Sequence, residues 1–128
     1  MKFLLDTHTL LWWCDGGARI GASAIEAISS EGSEVFFSLA SAWEVAIKVS
    51  LGKLALRQAT EGLFGELFKK YQFQPLPASL EDCLRVESLP WHHRDPFDRL
   101  LASQCLGRQL TLLSRDEIFD QYGVRRLW

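Results

Sequence analysis

Apolar positions along this chain fall into short continuous runs that alternate with longer stretches of helical period. Lys2 to Leu5 is such a run; the polar pair Asp6-Thr7 and then Leu10 to Trp13 follow, a strand, turn and helix closed by Gly16-Gly17. Ala22 to Ser30 places Ile25 and Ile28 on one helical face and stops at Gly32, after which Val35 to Ser38 reads as a second buried strand. Leu39 to Leu51 is almost continuously apolar but too long for a strand, which predicts a buried helix closed by Gly52. Leu63, Phe64, Leu67, Phe68 and Tyr71 form one face of an amphipathic helix with Lys69 and Lys70 opposite. Phe73 to Leu76, with Pro75 inside it and Pro77 after it, predicts an edge strand. Ser79 to Leu89 predicts a helix with Ser79 as N-cap and Pro90 as its stop. Asp95 as N-cap, Pro96 at the first helical position and Gly107 just past the end mark a helix through Leu100 to Leu106. Leu110 to Leu113 is a strand, Arg115 to Gln121 a short helix and Val124 to Trp128 a terminal strand. Short strands alternating with helices imply an α/β fold whose parallel sheet is covered on both faces.

The chain has 128 residues, 48% of them apolar and 23% charged, which suits one ordinary globular domain spanning residues 1–128. Its longest apolar run, Leu10 to Cys14, is far below the roughly 20 residues of a membrane helix, and Asp6 interrupts anything resembling a signal peptide. Three widely spaced cysteines form no C-x-x-C pair, which argues against a disulfide scaffold or a thiolate zinc site and fits a reducing cytoplasm. With 14 Lys plus Arg against 16 Asp plus Glu, the net charge of −2 excludes a protein that coats nucleic acid by bulk charge. Any such contact must be local.

The acids carry the candidate chemistry. In an open parallel sheet the ligand crevice lies beyond the carboxyl ends of the strands. Asp6 ends the first strand, Glu44 follows the second by six residues, Asp98 opens the helix that leads to the fourth, and Asp116 follows the fourth. Converged, these four would repel strongly unless a cation sat among them. Oxygen ligands select a hard cation such as Mg²⁺, and such ions at a phosphodiester activate water and stabilise the leaving oxygen. Phosphodiester hydrolysis is therefore the expected chemistry, with Asp6, Glu44 and Asp98 as principal ligands and Asp116 completing the set. Thr7 and Ser114 are placed to hydrogen-bond the ligating carboxylates. Each acid also has a plain structural reading. Glu44 completes a capping box with Ser41 and an i,i+4 pair with Lys48; Asp95 and Asp98 suit a helix start; Asp116 caps the short helix after it. Asp6, alone after a Phe-Leu-Leu run, is the hardest to explain that way.

Four segments together resemble a known family. Phe3-Leu4-Leu5-Asp6-Thr7-His8-Thr9-Leu10-Leu11-Trp12-Trp13, Ser41-Ala42-Trp43-Glu44-Val45-Ala46-Ile47-Lys48, His93-Arg94-Asp95-Pro96-Phe97-Asp98-Arg99-Leu100-Leu101 and Leu113-Ser114-Arg115-Asp116 are similar, in order and spacing, to PIN-domain proteins of the VapC toxin type. The resemblance implies a three-layer α/β/α fold on a parallel sheet of about five strands and an Mg²⁺- or Mn²⁺-dependent endoribonuclease acting on RNA. It implies also a cognate antitoxin, a tendency to form homodimers, and contact with DNA only through the antitoxin. By the same resemblance Asp6, Glu44, Asp98 and Asp116 are the four acids of the site, and Asp95 is a further acid at its rim. His8 stands where many members carry Asn and Ser114 where many carry Thr, and neither removes a ligand.

Arg94, Arg99 and Arg115 flank the third and fourth acids and are candidates for holding substrate phosphates. His92 and His93 read first as loop residues before a helix and second as RNA contacts, and His8 as a supporting residue rather than a base. Trp12 and Trp13 point about 100° apart on a helix, so one packs inward and the other is free for an apolar groove receiving an antitoxin segment, with Leu51, Leu54 and Leu56 extending it. Two other readings compete: a solitary RNA-processing nuclease with the same chemistry, and a phosphoacceptor signalling domain. The latter wants paired acids after the first strand and a lysine after the fifth, whereas Asp6 is followed by Thr7 and no lysine lies beyond Lys70. Setting the four acids aside leaves 14 basic against 12 acidic residues, so the deficit of charge belongs to the proposed metal site.

Overall fold

The computed structural model describes all 128 residues. Five parallel strands, β1 (Lys2–Leu5), β2 (Glu34–Ser38), β3 (Gln74–Leu76), β4 (Thr111–Leu113) and β5 (Arg126–Leu127), form one sheet in the order β3-β2-β1-β4-β5. Six helices connect them: α1 (Thr7–Cys14), α2 (Ala22–Ser29), α3 (Leu39–Ser50), α4 (Thr60–Lys69), α5 (Leu80–Arg85) and α6 (Pro96–Arg108). Short 3-10 segments follow α5 at Val86–Ser88 and β4 at Glu117–Tyr122. No helix is long and apolar enough to cross a membrane.

The alternation of β1 builds two cores. Phe3 and Leu5 face one layer, with Leu10 of α1, Ala24 and Ile28 of α2, and Leu63 and Leu67 of α4. Leu4 faces the other, with Leu101, Ala102 and Cys105 of α6, Leu112 and Phe119. Each buried Leu or Phe contributes roughly 1.5–3 kcal/mol, so β1, buried on both faces, anchors both layers at once. β3 is an edge strand as expected: three residues long, with Pro75 in register with Phe37.

Several boundaries differ from the sequence pattern for identifiable reasons. α1 begins at Thr7, three residues before Leu10, because Asp6 is its N-cap and accepts from the Thr9 amide at 2.8 Å. The lone acid after β1 therefore has a structural role as well. In α3 the N-cap is Ser38, which accepts from the Ala40 amide at 3.1 Å, so Ser41 and Glu44 lie inside the helix and form no capping box. Nor is α3 buried all round: Ala40, Ser41, Glu44 and Val45 face inward while Leu39, Trp43, Val49 and Leu51 are exposed. The expected single helix over Ser79 to Leu89 tightens into a 3-10 turn after Arg85, and its start carries a capping box between Ser79 and Asp82. α6 begins as expected, with Asp95 accepting from the Asp98 amide at 3.0 Å and Pro96 next. It does not stop at Gly107. It continues to Arg108 and ends at Gln109, left-handed with φ 56°; a side chain at Gly107 would meet the Arg85 guanidinium that crosses it. That guanidinium donates to the Ser103 carbonyl at 3.1 Å, tying α5 to α6.

Gly21 makes the other close approach. A Cβ there would overlap the Trp128 backbone and the inner edge of its indole. Because backbone cannot swing aside, Gly21→Ala is expected to cost about 1–3 kcal/mol, seen as a lower urea midpoint; an unchanged midpoint would show that the terminal strand yields freely.

Candidate active site

The carboxyl ends of all five strands lie on one edge, and the strand order reverses at β1: the chain first adds β2 and β3 on one side of it, then crosses to add β4 and β5 on the other. The crevice beyond that switch point is where an open α/β sheet binds ligands. Asp6 leaves β1 there and is 6% exposed. One of its oxygens holds the Thr9 amide and the other accepts from the Ser114 hydroxyl of the neighbouring strand end. Thr9 in turn donates through its hydroxyl to the Leu113 carbonyl at 2.9 Å, locking α1 against β4. Ser114 also accepts from the Asp116 amide at 3.0 Å, so one buried hydroxyl positions two of the acids.

Asp116 is exposed and caps the 3-10 turn by accepting from the Ile118 amide at 3.0 Å. Asp98, in the first turn of α6, sits 2.7 Å from His93 Nε2. Ligand atoms of His93, Asp98 and Asp116 all lie within 4.8 Å of one another. Burial pushes the Asp98 carboxyl up to about 6 against the pull of His93, and the nearby charges of Asp95 and Asp6 add to the rise. Burial raises the Asp6 carboxyl as well, opposed by its hydrogen bonds from Ser114 and Thr9. Two like-charged, desolvated groups thus share one end of the sheet.

Glu44 comes from α3 and is buried. Thr7 donates to its Oε1 at 2.6 Å and Lys48 to its Oε2 at 2.7 Å. The freed Ser41 hydroxyl pairs with that of Thr7 at 2.9 Å, so the residues expected to cap α3 instead bind α1 to it. Lys48 is held protonated chiefly by Glu44, with Asp95 and Asp98 contributing through space. Glu44 therefore borders the cluster, paired with its own cation, while Asp6, Asp98 and Asp116 converge more directly.

The arginines divide sharply. Arg94 and Arg115 are exposed and make no ion pair or hydrogen bond. Arg99, expected to hold substrate phosphate, is 2% exposed. Its guanidinium donates to the carbonyls of Pro90, Val86 and Leu89 at 2.8–3.1 Å and to the Tyr122 hydroxyl at 3.2 Å. It points into the protein because the loop before α6 curls around it, and this corrects the substrate-contact reading for Arg99. His93, expected as a loop residue before the helix, instead pairs with Asp98 inside the acid cluster. It lies in an aperiodic loop, so nothing but its place in the family segment, five residues before Asp98, pointed to it.

The sequence profile of the PIN domain family matches residues 3–124. The chain belongs to the PIN domain family. PIN domains are nucleases, and the acids of this one gather where the fold places its ligand crevice. Among solved structures, the chain is similar to VapBC2 from Rickettsia felis bound to a promoter DNA fragment, at a TM-score of 0.71, 12% identity and coverage of 99% of this chain and 98% of that one. VapBC-1 from nontypeable Haemophilus influenzae superimposes at a TM-score of 0.68 with 18% identity, covering 99% and 97%. FitAcB from Neisseria gonorrhoeae gives 0.57 with 16% identity, covering 98% and 96%. At these identities the likeness establishes the three-layer α/β/α fold. No curated protein matches the chain in sequence.

Within this PIN domain the Ser114 hydroxyl is the most exacting support. With Asp6 taken as a metal ligand, the reading proposed below, Ser114→Ala is expected to lower cleavage about 10- to 100-fold, the usual cost of removing a hydrogen-bond partner of such a ligand, while Ser114→Thr keeps the hydroxyl and most of the activity. Equal loss in both variants would assign the effect to packing rather than to the hydroxyl.

Proposed function

We propose that this PIN domain is a divalent-metal-dependent endoribonuclease and the toxin half of a toxin–antitoxin pair. The observation that carries the reading is the desolvated acid cluster, in which Asp98 is raised to about 6 and His93, Asp98 and Asp116 lie within 4.8 Å. Carboxylate oxygens with at most one imidazole nitrogen suit Mg²⁺ or Mn²⁺, and a divalent cation relieves the repulsion that the fold otherwise leaves standing. Asp6, Asp98 and Asp116 would hold the ion, with Glu44 beside them. When bound, the cation neutralises phosphate charge, polarises a phosphoryl oxygen and acidifies water.

The chain's own residues prepare that chemistry. Ser114 and the Thr9 amide fix both oxygens of Asp6. Asp95 fixes the start of α6 and so the direction of Asp98. Thr7 and Lys48 hold Glu44 in one orientation. Arg115, which lines the crevice, and Arg94, exposed just before α6, are free cations suited to the phosphates flanking a scissile bond. An antitoxin partner is supported by the neighbours of similar fold, solved as VapBC and FitAB assemblies. The uncovered apolar side chains Leu39, Trp43 and Leu51 of and after α3 offer it surface.

Purified protein incubated with structured RNA and Mg²⁺ or Mn²⁺ is expected to cleave it, to stop on addition of EDTA and to recover when the metal is restored. Cleavage that persists in EDTA would overturn the metal-dependent reading, and equal cleavage of single-stranded DNA would overturn the assignment to RNA.

A further inference from the structure

The acid cluster is not the end of the crevice. On the side of Asp6 and Asp116 it opens into a cavity of about 760 Å³ whose far wall is aromatic, formed by Trp12 of α1 and Trp128 after β5. The two indoles meet edge to face with centroids 5.8 Å apart, and the exposed His8 ring stacks on Trp12 at 5.6 Å. Trp13, by contrast, packs inward against Tyr71 and Phe73. Both Trp12 and Trp13 are half-buried against the same core, and it is Trp12 that also lines the cavity with Asp6 and Asp116.

We propose that this cavity is a nucleobase subsite, which receives the base of the nucleotide next to the scissile phosphate and so sets where RNA is cut. The inference rests on the nuclease reading above. The wall offers π surface on Trp12, Trp128 and His8, and every base has a matching face. Arg115, exposed and without an ion pair, lines the cavity one residue before Asp116 and is placed to meet the phosphate joined to that base. Arg126 also reaches the cavity but is clamped by Asp120 through two hydrogen bonds of 2.9 Å, so it stiffens the wall and leaves Arg115 as the uncommitted cation. An aromatic wall and a free cation beside the acids match the π face and the phosphate of one nucleotide when a cation fills the cluster; a basic segment of a protein partner would pair with the same acids without needing Arg115, and the test below separates the two.

The test uses the full chain and a short RNA with one mapped cleavage site, re-synthesised with a single abasic nucleotide at each position around that site. In the wild type, one abasic position beside the cut is expected to lower kcat/KM about 10- to 100-fold, the others much less. Trp12→Ala is expected to lower kcat/KM for the intact RNA by a similar factor and to erase the further loss at that position. Trp12→Phe, which keeps a ring and the packing, is expected to retain most of both. The inference is overturned if no abasic position stands out in the wild type, or if the abasic loss is the same in the wild type and both Trp12 variants. It is overturned also if Trp12→Ala leaves RNA kinetics unchanged while weakening capture of a co-expressed antitoxin, which would make the cavity a protein site. A wild-type protein that cuts no RNA overturns the nuclease reading together with this one, whereas normal metal-dependent cleavage without base dependence overturns this one alone.

Discussion

Asp98→Asn is expected to abolish cleavage and yet to make the metal-free protein more stable at pH 7. The loss of activity should exceed about 100-fold, since removing mere partners of metal ligands already costs 10–100-fold. The gain in stability follows from proton linkage. Asp98 titrates at about 6 in the folded protein against an ordinary 3.8, so the folded state holds its proton more tightly than the unfolded chain. Its contribution is therefore present in full below pH 3.8 and is lost as pH rises through about 6. At pH 7 the ionised side chain is a net cost on the order of 2 kcal/mol. Asparagine keeps the shape and sheds the charge, which should raise the melting temperature by roughly 5–10 °C at pH 7 and by little at pH 4. Added Mg²⁺ should stabilise the wild type and narrow the gap. A variant that melts lower than the wild type at pH 7 without metal would refute the claim that the cluster is held against its own repulsion.

Arg99 is expected to behave in the opposite way, as a residue whose removal damages the fold first and activity in consequence. Its guanidinium supplies donors to three backbone carbonyls at 2.8–3.1 Å and to the Tyr122 hydroxyl, and it stacks over Trp91 at 3.9 Å. Arg99→Ala strands the buried Leu89 carbonyl and Tyr122 hydroxyl and leaves the partly exposed Pro90 and Val86 carbonyls to water. At about 1–3 kcal/mol for each buried group left unpaired, partly recovered by relaxation, the loss should reach about 4 kcal/mol or more. Lysine cannot replace a planar fork that reaches several carbonyls at once, so Arg99→Lys should recover little. Urea denaturation checks both variants. Because the same loop carries His93, the surviving folded fraction should also cleave poorly. A change within about 0.5 kcal/mol would show that Arg99 is a surface residue after all.

These two neighbours in sequence show what could be read from the chain and what could not. The start of α6 was legible because its signals are local: Asp95 caps, Pro96 fits the first turn, and both act within four residues. Asp6 and Asp116 could be placed because they follow β1 and β4, which pair side by side, whereas Glu44 and Asp98 lie on helices whose direction toward the crevice the sequence does not settle. Arg99 was misread because adjacency along a helix says nothing about direction: successive residues turn by about 100°, and Arg99 faces the interior while Asp98 faces the crevice. The capping box at Ser41 failed by a register of three, since Ser38 offers an equally good hydroxyl earlier in the chain. Gly107 has the sequence signature of a helix stop but is a gap for Arg85, a distinction that depends on what another helix brings across it. His93 belongs to the same class. Its role arises from a loop folding back on α6, for which no periodicity exists to be read.

The central pairing of β1 with β4 has a consequence for the order in which a ribosome makes this chain. Asp6 emerges almost first, but the hydroxyl that fixes it belongs to Ser114, 108 positions later. Asp116 and the aromatic wall at Trp128 follow later still. A nascent chain holds Asp6 and Glu44 through most of its synthesis without the strand that completes the site. Cutting competence then arrives as a single late event rather than growing with length. If the proposed ribonuclease reading holds, the enzyme would attack RNA around its own ribosome, and that timing is a safeguard written into the strand order itself.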